Sequence, residues 1–199
     1  MSKKYQYYEE KRDLEESPEP NNGDNKENDK PIFVVQKHDA QNLHYDFRLE
    51  IDGALKSWAV PKGPSTDPSD KRLAIPTEDH PLDYADFEGV IPEDHYGAGE
   101  VIVWDKGTYK NESVKSDEEL SIKEAYKEGH IKVWLEGKKL SGGYAFIQTD
   151  SGDNPRWLLV KEDDEESDAR RKPVKTEPKS VKSGKTIDDL KEEGDEWIN

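Results

Sequence analysis

Residues 33–51 read FVVQKHDAQNLHYDFRLEI, and the second half of this stretch decides the class of fold. From residue 43 to 51 the side chains alternate. Leu43, Tyr45, Phe47, Leu49 and Ile51 fall on one side; His44, Asp46, Arg48 and Glu50 fall on the other. Unbroken alternation of this length predicts a half-buried β-strand, with an apolar face in a core and a polar face free for chemistry. The preceding apolar run, residues 33–35, leads to His38, and Asp39-Ala40-Gln41-Asn42 suits a hairpin connection. Such a hairpin returns His38 towards His44 and Asp46. A lone histidine on a strand is usually solvated or hydrogen-bonded. Here two of the chain's five histidines share one short segment with an Asp and an Arg on a single face. Two imidazoles and a carboxylate, with positions left for water and substrate, suit a catalytic divalent transition metal.

Outward from this hairpin the chain keeps a β pattern. Asp52-Gly53 is a two-residue turn signal, residues 55–60 form the next strand, and Pro61 stops it. Lys62-Gly63-Pro64-Ser65 reads as a loop and residues 72–75 as a short strand. Gly97 and Gly99 are read as backbone geometry at the entry to a strand over 100–104. They are no phosphate-binding P-loop, because no Gly-Lys-Ser or Gly-Lys-Thr follows. His95 is expected at the surface without a partner, and His130 in a structural role. Ser116-Asp117-Glu118-Glu119 reads as a capped helix start, with the helix running to Tyr126 or Lys127 and ending near Gly129. Strands follow over 130–136, 143–149 and 157–161. About eight strands with tight turns predict a mainly β fold: a small antiparallel β-barrel with short flanking helices and disordered tails.

The bulk numbers set the limits. With 199 residues, the chain has room for one domain with a real core. Hydrophobic content of 31% against 38% charged residues points to unpacked segments. Residues 1–30 are expected to form a polar arm, 31–161 the barrel, and 162–199 an acidic and basic tail, disordered to 185 with a weak helix beyond. No Cys is present, which excludes disulfides and thiolate metal sites. No apolar run approaches a membrane span and no signal-like segment opens the sequence, so a cytoplasmic protein without membrane contact is expected. The net charge of −16 argues against a long nucleic-acid groove. Arg48, Lys62, Lys71 and Arg72 could still make a small positive pocket for one terminal phosphate.

The string just quoted, its continuation to Ser65, and RLAIPTEDHPLDYADFEGVIPEDHYGAGEVIVWDKGTY (residues 72–109) closely resemble the 3′-phosphoesterase domain of bacterial ligase D, also found as a stand-alone archaeal protein. The resemblance is dense over residues 8–161. It implies a small β-barrel and a metal-dependent enzyme that trims 3′ ends. A terminal ribonucleoside is removed to leave a 3′-phosphate, which is then hydrolysed to 3′-OH. It implies Mn²⁺ on His38, His44 and Asp46. Arg48, Lys62, Arg72 and His80 are implied near the phosphate, with Tyr84 facing it. The KRDLEESPEP segment resembles the family's N-terminal arm, with Arg12, Asp13 and Glu19 drawn into the site and Arg12 on the phosphate. The implied partners are DNA or DNA/RNA 3′ ends in a primer–template, and possibly a separate ATP-dependent ligase and a Ku-like protein; a monomer is expected. A non-catalytic 3′-end-binding or repair-scaffold module, and a small-nucleotide phosphoesterase, are the alternatives. One departure stands out, because Gln148 occupies a strand position where a basic residue is common.

Overall fold

The computed structural model describes residues 6–11, 18–20 and 29–193. Eight strands close into an antiparallel barrel. β1 (Ile32–Asp39), β2 (Leu43–Ile51), β3 (Ala54–Val60) and β4 (Lys71–Pro76) follow each other as neighbours. β5 (Gly89–Ile91) and β6 (Gly99–Asn111) come next in the chain, then a small hairpin of β7 (Val114–Lys115) and β8 (Glu118–Glu119). β9 (His130–Gly137), β10 (Ser141–Asp150) and β11 (Arg156–Lys161) finish the wall: β11 pairs with β4, and β6 pairs with both β9 and β1. β5 stays outside the ring. It takes the edge of β6 near Val101, the same edge that β6 later gives to β9 near Gly107.

The inward faces form an aromatic core. Trp58 lies 4.8 Å from Phe146 and 5.5 Å from Trp157, and Phe47 lies 5.1 Å from Phe146, between ring centroids. A second apolar cluster, which includes Tyr8, Val34, Leu55, Leu82, Tyr84 and Val101, packs on the outside of the β1–β2–β3 wall. It is supplied by α1 (Gln6–Glu10), by the 3₁₀ helix Leu82–Asp86 and by β5. This corrects the half-buried reading of β2. Asp46 is 6% exposed, Arg48 3% and Glu50 8%, so the polar face is covered as fully as the apolar one. Period two reports which residues share a face, and does not report what later chain lays over that face.

Two further expectations are corrected. The helix α2 (Ile122–Glu128) starts at Ser121, not Ser116. Ser121 and Glu124 form a reciprocal capping box, and Gly129 closes the helix in the left-handed conformation. Ser116 and Asp117 instead take positive φ values of 51° and 67° in the β7–β8 turn. The segment beyond 162 is packed on the barrel through residue 193 rather than disordered to 185, with short helices α3 (Pro173–Thr176) and α4 (Ile187–Glu193). Thr66 Oγ1 donates to the Asp168 and Arg171 carbonyls, Trp104 Nε1 donates to the Glu177 carbonyl, and Val181 N donates to the Val103 carbonyl. Ile187 and Leu190 bury against Ile102. A few well-spaced anchors hold a strap whose average composition resembles a solvated tail.

Candidate active site

The metal-ligating candidates are assembled by strand register. His38 and His44 are direct cross-strand partners, with rings 4.8 Å apart, and Asp46 follows His44 on the same face. His38 Nε2 lies 2.8 Å from the Gly97 carbonyl and His44 Nδ1 lies 2.8 Å from the Asn42 carbonyl. A carbonyl only accepts, so each of these nitrogens carries the proton. That leaves the lone pairs of His38 Nδ1 and His44 Nε2, which point to Asp46: 3.5 Å to Oδ2 and 3.6 Å to Oδ1. One ligand atom from each residue lies within 4.8 Å of the other two. Two neutral imidazoles and a carboxylate at this spacing fit a single divalent cation with open positions, so the donor set suits the metal that the sequence implies.

Gly97 sits where it does because the turn before β6 needs glycine. At Gly99 φ is +134°, and a Cβ there would meet the Asp39 carbonyl oxygen at 2.1 Å. The strand entry thus presses against the residue after His38 while Gly97 orients the His38 ring.

Arg48 ties this centre to the rest of the site. It donates from Nε to Gln36 Oε1 (2.7 Å), from Nη1 to Ser57 Oγ (2.8 Å) and from Nη2 to Asp46 Oδ2 (3.1 Å). Its guanidinium lies 4.9 Å from the centre of the Tyr84 ring. A guanidinium has five N–H donors; with Nη1 also facing His80, the N–H left after these contacts is the second one on Nη2. His80 Nδ1 lies 2.9 Å from Arg48 Nη1 and 2.9 Å from the Glu78 carbonyl, which holds its ring against that of Tyr84 at 4.6 Å. Burial pushes the Asp46 carboxyl up, but the Arg48 charge and the two imidazoles prevail and hold it well below its ordinary 3.8. Burial likewise pulls His44 down, yet the hydrogen bond and charge of Asp46 leave it above 6.5.

These groups open onto a cavity of about 570 Å³, lined among others by His38, His44, Asp46, Arg48, His80 and Tyr84. The predicted residues are therefore only partly gathered. Lys62 is exposed just after β3 and Arg72 is paired with Asp70 at 2.9 Å; neither lines the cavity. Among the described residues, Arg48 is the one expected cation that lines the cavity. Gln148 bonds the Asp150 carbonyl and also lies off the cavity. Arg12 and Asp13 lie outside the described residues. Glu19 is buried and accepts a 3.0 Å bond from the Tyr84 hydroxyl. Tyr8 is fully buried, with its ring 5.1 Å from His80.

Several site residues went unseen in the sequence. Gln36 is two residues before His38 on the same face, and that spacing could have shown it. Ser57 and Glu78 needed the pairing of β3 with β2 and of residue 80 with Leu55. His95, expected at the surface, instead lines the cavity with its side chain 9% exposed.

The fold and site define a class: an eight-stranded barrel carrying a His-His-Asp cluster and a buried arginine on the outer face of its wall. The family model of the DNA Ligase D 3′-phosphoesterase domain matches residues 36–148, and this chain belongs to that family. It is 48% identical over 191 residues to the multifunctional non-homologous end joining protein LigD of Pseudomonas aeruginosa, covering 94% of this chain and 22% of that protein. It is 48% identical over 152 residues to the non-homologous end joining DNA repair protein LigD of Mycobacterium tuberculosis, covering 76% and 19%. The LigD of Mycolicibacterium smegmatis is 43% identical over 166 residues, covering 80% and 21%. The chain thus spans about a fifth of the length of the curated relatives it matches. No helix among the described residues is long and apolar enough to cross a membrane.

Proposed function

We propose that the chain is a Mn²⁺-dependent 3′-end phosphoesterase acting on DNA or DNA/RNA 3′ ends in a primer–template. It would remove a terminal ribonucleoside and then the remaining 3′-phosphate. The observation that carries this reading is the convergence of His38 Nδ1, His44 Nε2 and Asp46 beside a buried arginine. His38, His44 and Asp46 would hold the ion, which when bound polarises a phosphate oxygen. Arg48 neutralises charge that develops on the phosphate. Its hydrogen bonds to Gln36, Ser57 and Asp46 set its position beforehand, so little reorganisation is needed as the reaction proceeds. His80, braced by Tyr84 and Tyr8, protonates the leaving oxygen. The Tyr84–Glu19 bond anchors residues 18–20 to a residue that lines the cavity.

Because the relatives are non-homologous end joining proteins, a separate ligase and a Ku-like protein are the expected partners on the same ends. The test is a labelled primer–template ending in one ribonucleotide, followed over time with and without Mn²⁺. Appearance of a 3′-phosphate species and then a 3′-OH species supports both steps. No trimming by the native protein, or undiminished trimming by His44→Ala, removes the reading. Binding in chelator without any product in Mn²⁺ would instead favour a non-catalytic end-binding module.

A further inference from the structure

His95 is used by nothing described so far, and its state is unusual. Its side chain is more than nine-tenths buried and lines the same cavity as the His-His-Asp cluster. Nδ1 lies 2.9 Å from Asp94 Oδ1. The carboxylate of Asp94 is largely exposed, and its bond with His95 holds its pKa below 3.8, so it stays an acceptor at neutral pH. Nδ1 therefore carries a proton and donates it, and in the singly protonated ring this places the lone pair at Nε2. Among the described residues Nε2 has no hydrogen-bond partner, although it is closed off from solvent. Buried polar atoms in folded proteins nearly always have a partner, and an exception calls for a ligand or a function.

The chemistry of the missing partner can be narrowed. A lone pair accepts, so the partner must donate. Phosphate oxygens only accept, and Arg48 and His80 already offer donors for them. A metal ion is the other candidate, but the one group of three metal-ligating residues among those described is His38, His44 and Asp46, without His95. The donors left on a nucleic-acid 3′ end are base N–H groups and ribose hydroxyls, and a hydroxyl of the terminal ribose is the one that adjoins the phosphate held by Arg48. The cavity, at about 570 Å³, is also larger than a phosphate needs and has the size of sites that take a nucleoside-sized ligand.

We propose that His95, oriented by Asp94, is a substrate-contacting residue whose Nε2 accepts a hydrogen bond from a hydroxyl of the terminal ribose, and that it makes the enzyme prefer ribonucleotide ends. Because Nε2 is covered in this conformation, the segment over 92–98 shifts slightly when substrate enters. Gly97 and Gly99 lie in and beside that segment, and Tyr96 touches Lys11 of the N-terminal arm at 3.4 Å. The inference rests on the reading that ribonucleotide 3′ ends are substrates.

Two measurements test it, and only one needs turnover. In Mn²⁺, the rate on a ribonucleotide-ended strand is compared with the rate on a 3′-phosphate deoxyribonucleotide end. His95→Ala is expected to lower the ratio of the two by roughly ten- to a hundredfold, as when a site loses its partner for a substrate hydroxyl. His95→Gln, which retains an acceptor, should recover part of that ratio, and Asp94→Ala should lower it less. Equal loss of both rates, or no loss, overturns the proposal. In chelator, affinities are measured for strands ending in ribose or in 2′-deoxyribose. The native protein should prefer ribose several-fold and His95→Ala should not. A native protein without that preference also overturns the proposal, and this arm reads His95 even if the native protein turns nothing over. Thermal unfolding of His95→Ala close to that of the native protein separates recognition from a structural role.

Discussion

The two faces of β2 are buried to the same degree by opposite means. Tyr45, Phe47, Leu49 and Ile51 sink into a barrel core built of aromatic and aliphatic side chains. Asp46, Arg48 and Glu50 lie on the other side of the same backbone beneath a second apolar layer, and the His44 side chain at its open end stays 22% exposed. There Arg48 is matched by Asp46, Gln36 and Ser57, and Asp46 by Arg48. Inner packing stabilises by removing apolar surface from water. The outer network gains little net stability, since desolvating charges offsets most of their attraction. It holds a carboxylate, a guanidinium and two oriented imidazoles in one place, out of bulk water, where each acts more strongly. One face keeps the protein folded; the other is where reactivity is concentrated.

Substitutions on the two faces should therefore separate stability from chemistry. The largest effect is expected from Asp46→Ala, which leaves Arg48 buried without its anion. About 3–5 kcal/mol of stability should go, and calorimetry should detect no Mn²⁺ binding. Mn²⁺-dependent turnover within tenfold of native would break the division. Phe47→Ala on the inner face should cost a similar ~3–5 kcal/mol in urea unfolding. Unlike Asp46→Ala, its folded fraction should bind Mn²⁺ within a few-fold of native; affinity lost in step with stability would mean that the faces are one cooperative unit.

A smaller effect concerns pH. His44 must be neutral to hold a metal, and its pKa lies above 6.5. Mn²⁺ affinity should fall by about tenfold for each pH unit below that raised value. In the metal-free protein the same shift stabilises fully below 6.5 and is lost as pH rises through the folded value. Asp46, depressed below 3.8, contributes above 3.8 and is lost only as pH falls through its folded value. Mn²⁺ titrations at three pH values, with melting curves of the metal-free protein, check both signs. The smallest expected effect is Ser121→Ala in the α2 capping box, about 1 kcal/mol, with Mn²⁺ affinity untouched because α2 packs against the barrel core and lines no part of the cavity.

How much of the site was legible depends on the range of the contacts. His38, His44 and Asp46 lie within nine residues, so alternation and a hairpin were enough to bring them together. Gln36 obeys the same alternation and was legible too, although a neutral side chain does not stand out beside charged ones. His95 was not legible. Its neighbours in the chain are polar, and its burial comes from packing between residues far apart in sequence. Lys62 and Arg72 illustrate the converse: one is exposed and the other is paired with Asp70, and neither lines the cavity although both lie near the site in sequence.

By itself the sequence determined the barrel's strands, the His38–His44–Asp46 trio and the face they share, because period two and tight turns act over a few residues. Only the tertiary structure decided that this face is roofed over, that the strap from residue 162 to 193 is packed on the barrel, and that among the described residues Arg48 is the cation lining the cavity. Those outcomes depend on contacts between segments tens of residues apart, which local propensity and composition do not encode.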